Sequence, residues 1–220
     1  MTDEQNIGMS MDQNEFMKRM KAIASDLWGG IVPPEQPMPT EPRKEPVKQE
    51  PEKKKPNLDV IWKTADETID WTDALAHDTP TDGLTGMKKW AFYHKHAQKV
   101  LQGDLAAYTE VLQKANPLGE LTDYAENLTM QAQSADRLES SFQCNEELLR
   151  QHDKLYLAAM GLRIARDLLA CLPVEEVAVT GENEGKKIFS VTYTRQQLLH
   201  RNFVFTDPVA LAKECGAEYK

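Results

Sequence analysis

NEELLRQHDKLYLAAMGLRIARDLLACL, residues 145–172, reads as one long helix with strands on either side of it. Asn145 suits the N-cap, where its side-chain oxygen can accept from the free amides of the first turn. Glu146 and Glu147 follow it, placing negative charge at the positive end of the helix dipole. Pro173 ends the run, because it lacks an N–H and disfavours helical geometry at the residue before it. At 100° per residue, Leu157, Gly161, Ile164, Leu168 and Cys171 share a face. Leu155, Ala158, Leu162, Ala165, Leu169 and Leu172 widen it past half the circumference. A helix leaning on one surface needs a stripe of only about 100°, so this one is expected to be covered from two sides. The narrow stripe left over carries His152, Tyr156, Ala159, Arg163, Arg166 and Asp167, and is expected to face solvent with Arg163 and Asp167 paired four residues apart. Gly161 costs about 1 kcal/mol relative to Ala inside a helix, which points to close approach of a strand or second helix.

Outward from this helix the periodicity is 2. Upstream, Leu128, Met130 and Ala132 alternate with polar residues, and after a turn at Ser134–Asp136 so do Leu138, Ser140, Phe142 and Cys144. Downstream, Val177 and Val179 alternate, the polar loop GENEGK turns the chain, and Phe189, Val191 and Tyr193 share a face. The fold class is therefore α+β: N-terminal helices, then a β-β-α-β-β core in which a four-stranded sheet packs on the long helix, then a C-terminal helix. The connection between the second and third strands is expected to be a right-handed crossover. Gln196–Arg201 suits a helical turn and Phe203-Val204-Phe205 a short extended piece. Asp207, Pro208 and Gly216 punctuate the last helix.

Ahead of the sheet, residues 87–102 read as a helix with Met87, Trp90, His94, Ala97 and Leu101 on its apolar face. Gly103 and Asp104 separate it from a second helix presenting Leu105, Tyr108 and Leu112. The compact domain is placed at 84–220.

The N-terminal third has a different character. Residues 1–32 are expected to be disordered apart from a short amphipathic helix over 11–28, with Phe16, Met20, Ile23 and Leu27 on one side. Such a helix is marginal alone in water and needs a groove to dock in, on this chain or on another. Residues 33–56 hold eight of the twelve prolines interleaved with Lys and Glu, and form a semi-rigid linker. Residues 57–83 form an acidic arm carrying Trp62 and Trp71, costly to leave exposed and therefore expected to dock on the domain or on a partner.

Composition narrows the function. The net charge is −9, which argues against a dedicated nucleic-acid binder. Six units of that charge fall in residues 57–85, where seven acidic residues face one lysine. Cys144, Cys171 and Cys215 have no CxxC spacing, and an odd count fits buried thiols in a reducing, cytoplasmic setting. No apolar run reaches the length of a membrane span. His94 and His96, two apart on a helix, point about 200° away from each other and cannot share an ion, whereas a metal pair needs a spacing of three or four. No phosphate loop, nucleophile elbow or paired-carboxylate motif occurs. Neither metal nor cofactor is expected, and the balance leans away from an enzyme.

Three function classes follow. The first is a non-enzymatic interaction protein, adaptor or assembly factor. Its tethered N-terminal helix (Phe16, Met20, Ile23, Leu27) and acidic arm (Trp62, Trp71) engage a protein partner or a second copy, and the wide apolar arc of the central helix also admits a homodimer. The second is a small-ligand binder or enzyme with an anion site at Arg163 and Arg166, near Tyr193. The third is a nucleic-acid binder using Lys88, Lys95 and Lys99 with Tyr93 among them, or an acidic nucleic-acid mimic.

Overall fold

The computed structural model describes residues 57–81 and 87–220; of Met87 and Lys88 it describes the backbone alone. The N-terminal helix and the proline-rich linker of the sequence reading lie outside the described residues.

The protein mixes helix and strand around a five-stranded sheet. In chain order the elements are α1 (Leu58–Ile61), α2 (Trp71–Ala76), α3 (Met87–Leu101), α4 (Leu105–Ala115), β1 (Ala125–Ser134), β2 (Arg137–Cys144), α5 (Glu146–His152), α6 (Lys154–Cys171), β3 (Glu176–Asn183), β4 (Lys186–Thr194), α7 (Arg195–Leu198), α8 (Pro208–Glu214) and β5 (Glu218–Tyr219). The strands lie side by side in sequence order. β1–β2, β3–β4 and β4–β5 are antiparallel, and β2–β3, joined through α5 and α6, are parallel.

Alternation sets which side of the sheet is buried. Leu138 and Phe142 in β2, Val177 and Val179 in β3, and Phe189, Val191 and Tyr193 in β4 turn inward and are buried. Their neighbours Ser141, Thr180 and Ser190 turn outward and are only half-buried. α6 lies across the inward face, and Gly161 is the point of closest approach. A Cβ there would sit 2.8 Å from Phe189 Cε1, so the missing side chain lets helix and strand meet. The β3–β4 hairpin turns on Glu184 and Gly185, with φ of 50° and 72°, the paired left-handed conformation of a two-residue type I′ loop.

Five expectations change. The sheet has a fifth strand, the two residues Glu218–Tyr219 paired to Phe189 and Ser190, too short to leave a periodic signature. The helix 145–172 is two helices: Asp153 adopts φ 41°, ψ −116° and breaks the chain direction between α5 and α6. The stripe expected to face solvent is covered, with Tyr156, Ala159, Arg163 and Asp167 all buried. The wide apolar arc of α6 is thus buried within this chain. α3 is rotated from its expected orientation: Trp90, Tyr93, Ala97 and Val100 are buried, while Leu101 is exposed. Finally, Phe203–Phe205 is a turn, not an extended piece. The Asn202 side chain accepts from the Val204 amide and its carbonyl accepts from Phe205, a local alternative to a strand.

The cover over α6 is the acidic arm. Leu58, Ile61, Trp62, Trp71 and Ala74 belong to the same core cluster as α6 and the sheet. The boundary expected near residue 84 therefore does not separate two packing units. The arm also closes the C-terminal end of α6, whose last carbonyls have no partner within the helix. Ala170 O accepts from Ile69 N–H at 2.9 Å and Cys171 O from the Trp71 indole at 3.0 Å. Leu169 O and Leu172 O accept from Arg195 Nη2 at 2.9 and 2.8 Å.

Candidate functional site

The arm, the end of α6 and the segment after α7 enclose a cleft of about 210 Å³. It is lined by Asp66 and Thr68 of the arm, Arg166 and Leu169 of α6, Leu198 and Leu199 around α7, and Phe203. Arg166 forms one wall. Its guanidinium lies 3.7 Å from the centre of the Phe203 ring, a cation–π contact, and Nη1 donates to the carbonyls of Trp62 and Thr64. The Trp62 indole donates to Thr206 O at 3.1 Å, so the arm and the 203–206 turn are tied together beside the cleft. Leu199 of that lining is 49% exposed, and Val204 and Phe205, which follow Phe203, are 59% and 85% exposed. Scattered apolar side chains on a surface need no explanation, but three within seven residues, bordering an apolar cleft, form a patch.

Behind the cleft lies an ionic cluster whose centre, Arg163 and Asp167, is buried and whose outer members, Asp66 and Glu120, are exposed. Arg163 Nε donates to Asp167 Oδ2 at 2.6 Å, Nη1 to Thr64 Oγ1 at 2.6 Å, and Nη2 to Glu120 at 3.3 Å, with Asp66 at 3.9 Å. The other Asp167 oxygen accepts from the Asp66 amide at 2.9 Å. Burial pushes the Asp167 carboxyl up to about 6, against the pull of Arg163 and of the Asp66 amide, and burial raises Asp66 as well. The cluster fastens Thr64–Asp66 to the helix.

The residues anticipated from sequence are thus dispersed. Phe16, Met20, Ile23 and Leu27 lie outside the described residues. Trp62 and Trp71 are buried in this chain's own core, and Trp71 meets Tyr93 edge-on at 5.5 Å. Arg163 is enclosed and spends its donors on Asp167, Thr64 and Glu120. Arg166 alone of the two arginines lines a cleft, and Tyr193 lies on the inward face of β4, away from it. Lys95 and Lys99 are exposed, but Tyr93, expected among them, is buried; the Lys88 side chain is outside the described residues.

Groups that could carry chemistry are committed elsewhere. Burial pushes the Cys144 and Cys171 thiols up to about 12, so neither supplies a thiolate near neutral pH. The core histidine is His96, not His94, and its two nitrogens face Phe92 O and Glu110, each at 2.8 Å. Asp73, His77 and Thr81 form a surface cluster that the sequence reading missed. His77 Nδ1 lies 2.6 Å from Asp73, and the Thr81 hydroxyl and amide donate to the same carboxylate, holding its pKa below the usual range. Thr81 is bonded to the acid and lies 3.5 Å from the nitrogen that faces it. That differs from a nucleophilic triad, in which base and orienting acid use different ring nitrogens. Among the described residues there is no group of three or more metal-ligating side chains, and no helix is long and apolar enough to cross a membrane.

The only clue to the exposed Val204 and Phe205 in the sequence was their apolar content, which read as a short extended piece. No family model, no curated protein and no solved structure matches this chain.

Proposed function

We propose that this chain is a non-enzymatic interaction protein, an adaptor or assembly factor, that engages a protein partner. The observation that carries the reading is the apolar patch of Leu199, Val204 and Phe205 beside the Arg166–Phe203 cleft. An almost fully exposed phenylalanine next to a stacked arginine has the composition of an interface centre, where aromatic residues and arginine are enriched. The N-terminal stripe of Phe16, Met20, Ile23 and Leu27 supplies a second contact on a polar tether, and tethering raises the effective concentration of that contact. Trp62 and Trp71 serve the fold, so partner contact falls to these two elements. At about 210 Å³ the cleft is smaller than the 300–1,000 Å³ or so of ordinary ligand sites, which favours a protein over a small molecule.

The test is co-purification from native lysate with tagged full-length protein, with Val204→Ser/Phe205→Ser, and with a chain lacking residues 1–56. Both altered forms are expected to lose the same partner while keeping the wild-type melting temperature. Equal recovery of that partner by all three would reject the proposal.

A further inference from the structure

Two guanidinium groups share the cleft beside the acidic arm. Arg166 of α6 and Arg195 of α7 both line it, and both are half-buried. Each uses part of its fork on the backbone. Arg166 donates from Nη1 to the carbonyls of Trp62 and Thr64, and Arg195 from Nε and Nη2 to those of Val174, Leu169 and Leu172. Nε and Nη2 of Arg166 and Nη1 of Arg195 have no acceptor among the described residues, and neither arginine forms an ion pair there. Holding a cation partly out of water without a counter-ion is costly, and desolvation pulls both guanidinium pKa values below their ordinary level. A helix C-terminus ordinarily repels an anion, but the carbonyls of Leu169, Ala170 and Leu172 are already occupied by Arg195 and the Ile69 amide. Asp66 is the one acid among the described lining residues, and its carboxylate is drawn to Arg163, 3.9 Å away. Most of the remaining wall is apolar, with Leu169, Leu198, Leu199 and Phe203.

Resting on the reading that this cleft and the patch beside it meet a protein partner, we propose that the cleft takes the C-terminal residue of that partner. Its carboxylate is received by the unused N–H groups of Arg166 and Arg195, and its aliphatic side chain by Leu198, Leu199 and Phe203. A guanidinium fork matches a carboxylate in shape as well as in charge. Arginines and apolar wall lie within one cleft of about 210 Å³, so the ligand's charge and its apolar group have to sit close together. The last residue of a chain carries both on one α-carbon. An acidic side chain within a chain brings a second residue, and backbone on either side, into the same space. Terminal carboxylates are captured elsewhere by converging N–H donors; here guanidinium groups take that place.

The probe is N-acetyl-glycyl-leucine, titrated to about 10 mM into isotope-labelled full-length protein and followed by NMR, a range that reads millimolar dissociation constants. The free acid is expected to shift the amide signals of Asp66, Thr68 and Leu199 and the Nε–H signal of Arg166. The same peptide with a C-terminal amide should bind at least about tenfold more weakly, the loss that goes with a hydrogen bond to a charged group. N-acetyl-leucyl-glutamate α-amide, whose carboxylate is on a side chain, should also bind about tenfold more weakly than the free acid. Asp66→Asn removes the like charge from the cleft wall and keeps the backbone amide that bonds Asp167. It should tighten binding of the acid about threefold and leave the amide peptide unchanged. Equal binding of acid and amide, an undiminished response to the glutamate peptide, an absence of shifts at these signals, or weaker binding of the acid by Asp66→Asn would each overturn the proposal. Val204→Ser/Phe205→Ser should bind the acid as the wild type does, because neither residue lines the cleft. Failure of the acid to bind leaves the lysate result of that variant standing, and the reverse holds too, so the two readings fail separately.

Discussion

The indole N–H of Trp71 donates to the carbonyl of Cys171 across 100 residues of sequence. Trp71 is buried against Tyr93 on one side and closes the end of α6 on the other. The acidic arm, expected to dock on the domain or on a partner, is therefore packed as part of the domain. A chain of residues 57–220 is expected to fold, and one of residues 84–220 to lose cooperative unfolding, because it exposes the Arg163–Asp167 pair and two helix-end carbonyls together. Circular dichroism melts of the two chains check this. A sharp transition for residues 84–220 would contradict it. Trp71→Phe keeps most of the ring but leaves a buried carbonyl unpaired, for an expected loss of about 1–3 kcal/mol in denaturant unfolding.

Arg195 binds the same helix end from the other side, with Nη2 on Leu169 O and Leu172 O and Nε on Val174 O at 3.0 Å. Three carbonyls held by one planar fork exceed what an ammonium can match in this geometry. Arg195→Lys is expected to cost about 2 kcal/mol, within the range for hydrogen bonds to charged groups. A lysine variant with wild-type stability would mean that water replaces the fork without loss.

These two contacts also show where the sequence was legible. Caps are local, and Asn145, Asp104 and Asp207 each accept from the first-turn amides as their positions suggested. The alternation of Phe189, Val191 and Tyr193 was legible because one face of the sheet is buried and the other is open. The orientation of α3 was not, since WAFYHKH offers aromatic or amphipathic side chains in nearly every direction. The choice falls to Trp71, which packs on Tyr93 from a distant segment. The break at Asp153 carries no glycine or proline to announce it. Of the candidate site, Arg166 could be named, but its partner Phe203 lies in a turn held by Asn202, where the apolar run Phe203-Val204-Phe205 had read as a short extended piece.

Gly161 offers a test of the helix–sheet distance. Alanine there would add about 1 kcal/mol of helix propensity, yet its Cβ would lie 2.8 Å from Cε1 and 3.2 Å from Cζ of Phe189. Phe189 is fully buried, so its ring cannot step aside without moving the core, and overpacking costs about 1–3 kcal/mol. The expected net result is a loss of stability, read as a lower urea midpoint at unchanged slope. A gain would show that α6 can shift outward freely.

Asp167 makes stability depend on pH in the direction opposite to an ordinary paired carboxylate. Its folded pKa, about 6, lies above its ordinary value of 3.8, because burial outweighs Arg163. Between these values the folded chain holds a proton at Asp167 that the unfolded chain has released. This group's contribution is therefore full below about pH 4 and is lost as pH rises to about 6. At 1.36 kcal/mol per unit, the contribution that is lost is on the order of 3 kcal/mol. Asp167→Asn removes the titrating carboxyl and, like the protonated acid, gives Arg163 a neutral neighbour at every pH. The diagnostic quantity is the stability of the wild type relative to this variant, measured by urea unfolding at pH 4, 5, 6 and 7. The wild type alone carries the titrating group, so its stability relative to Asp167→Asn should fall from pH 4 to 6 and then level off. A relative stability that rises over that range would mean that Arg163 dominates the carboxylate and that its pKa lies below 3.8.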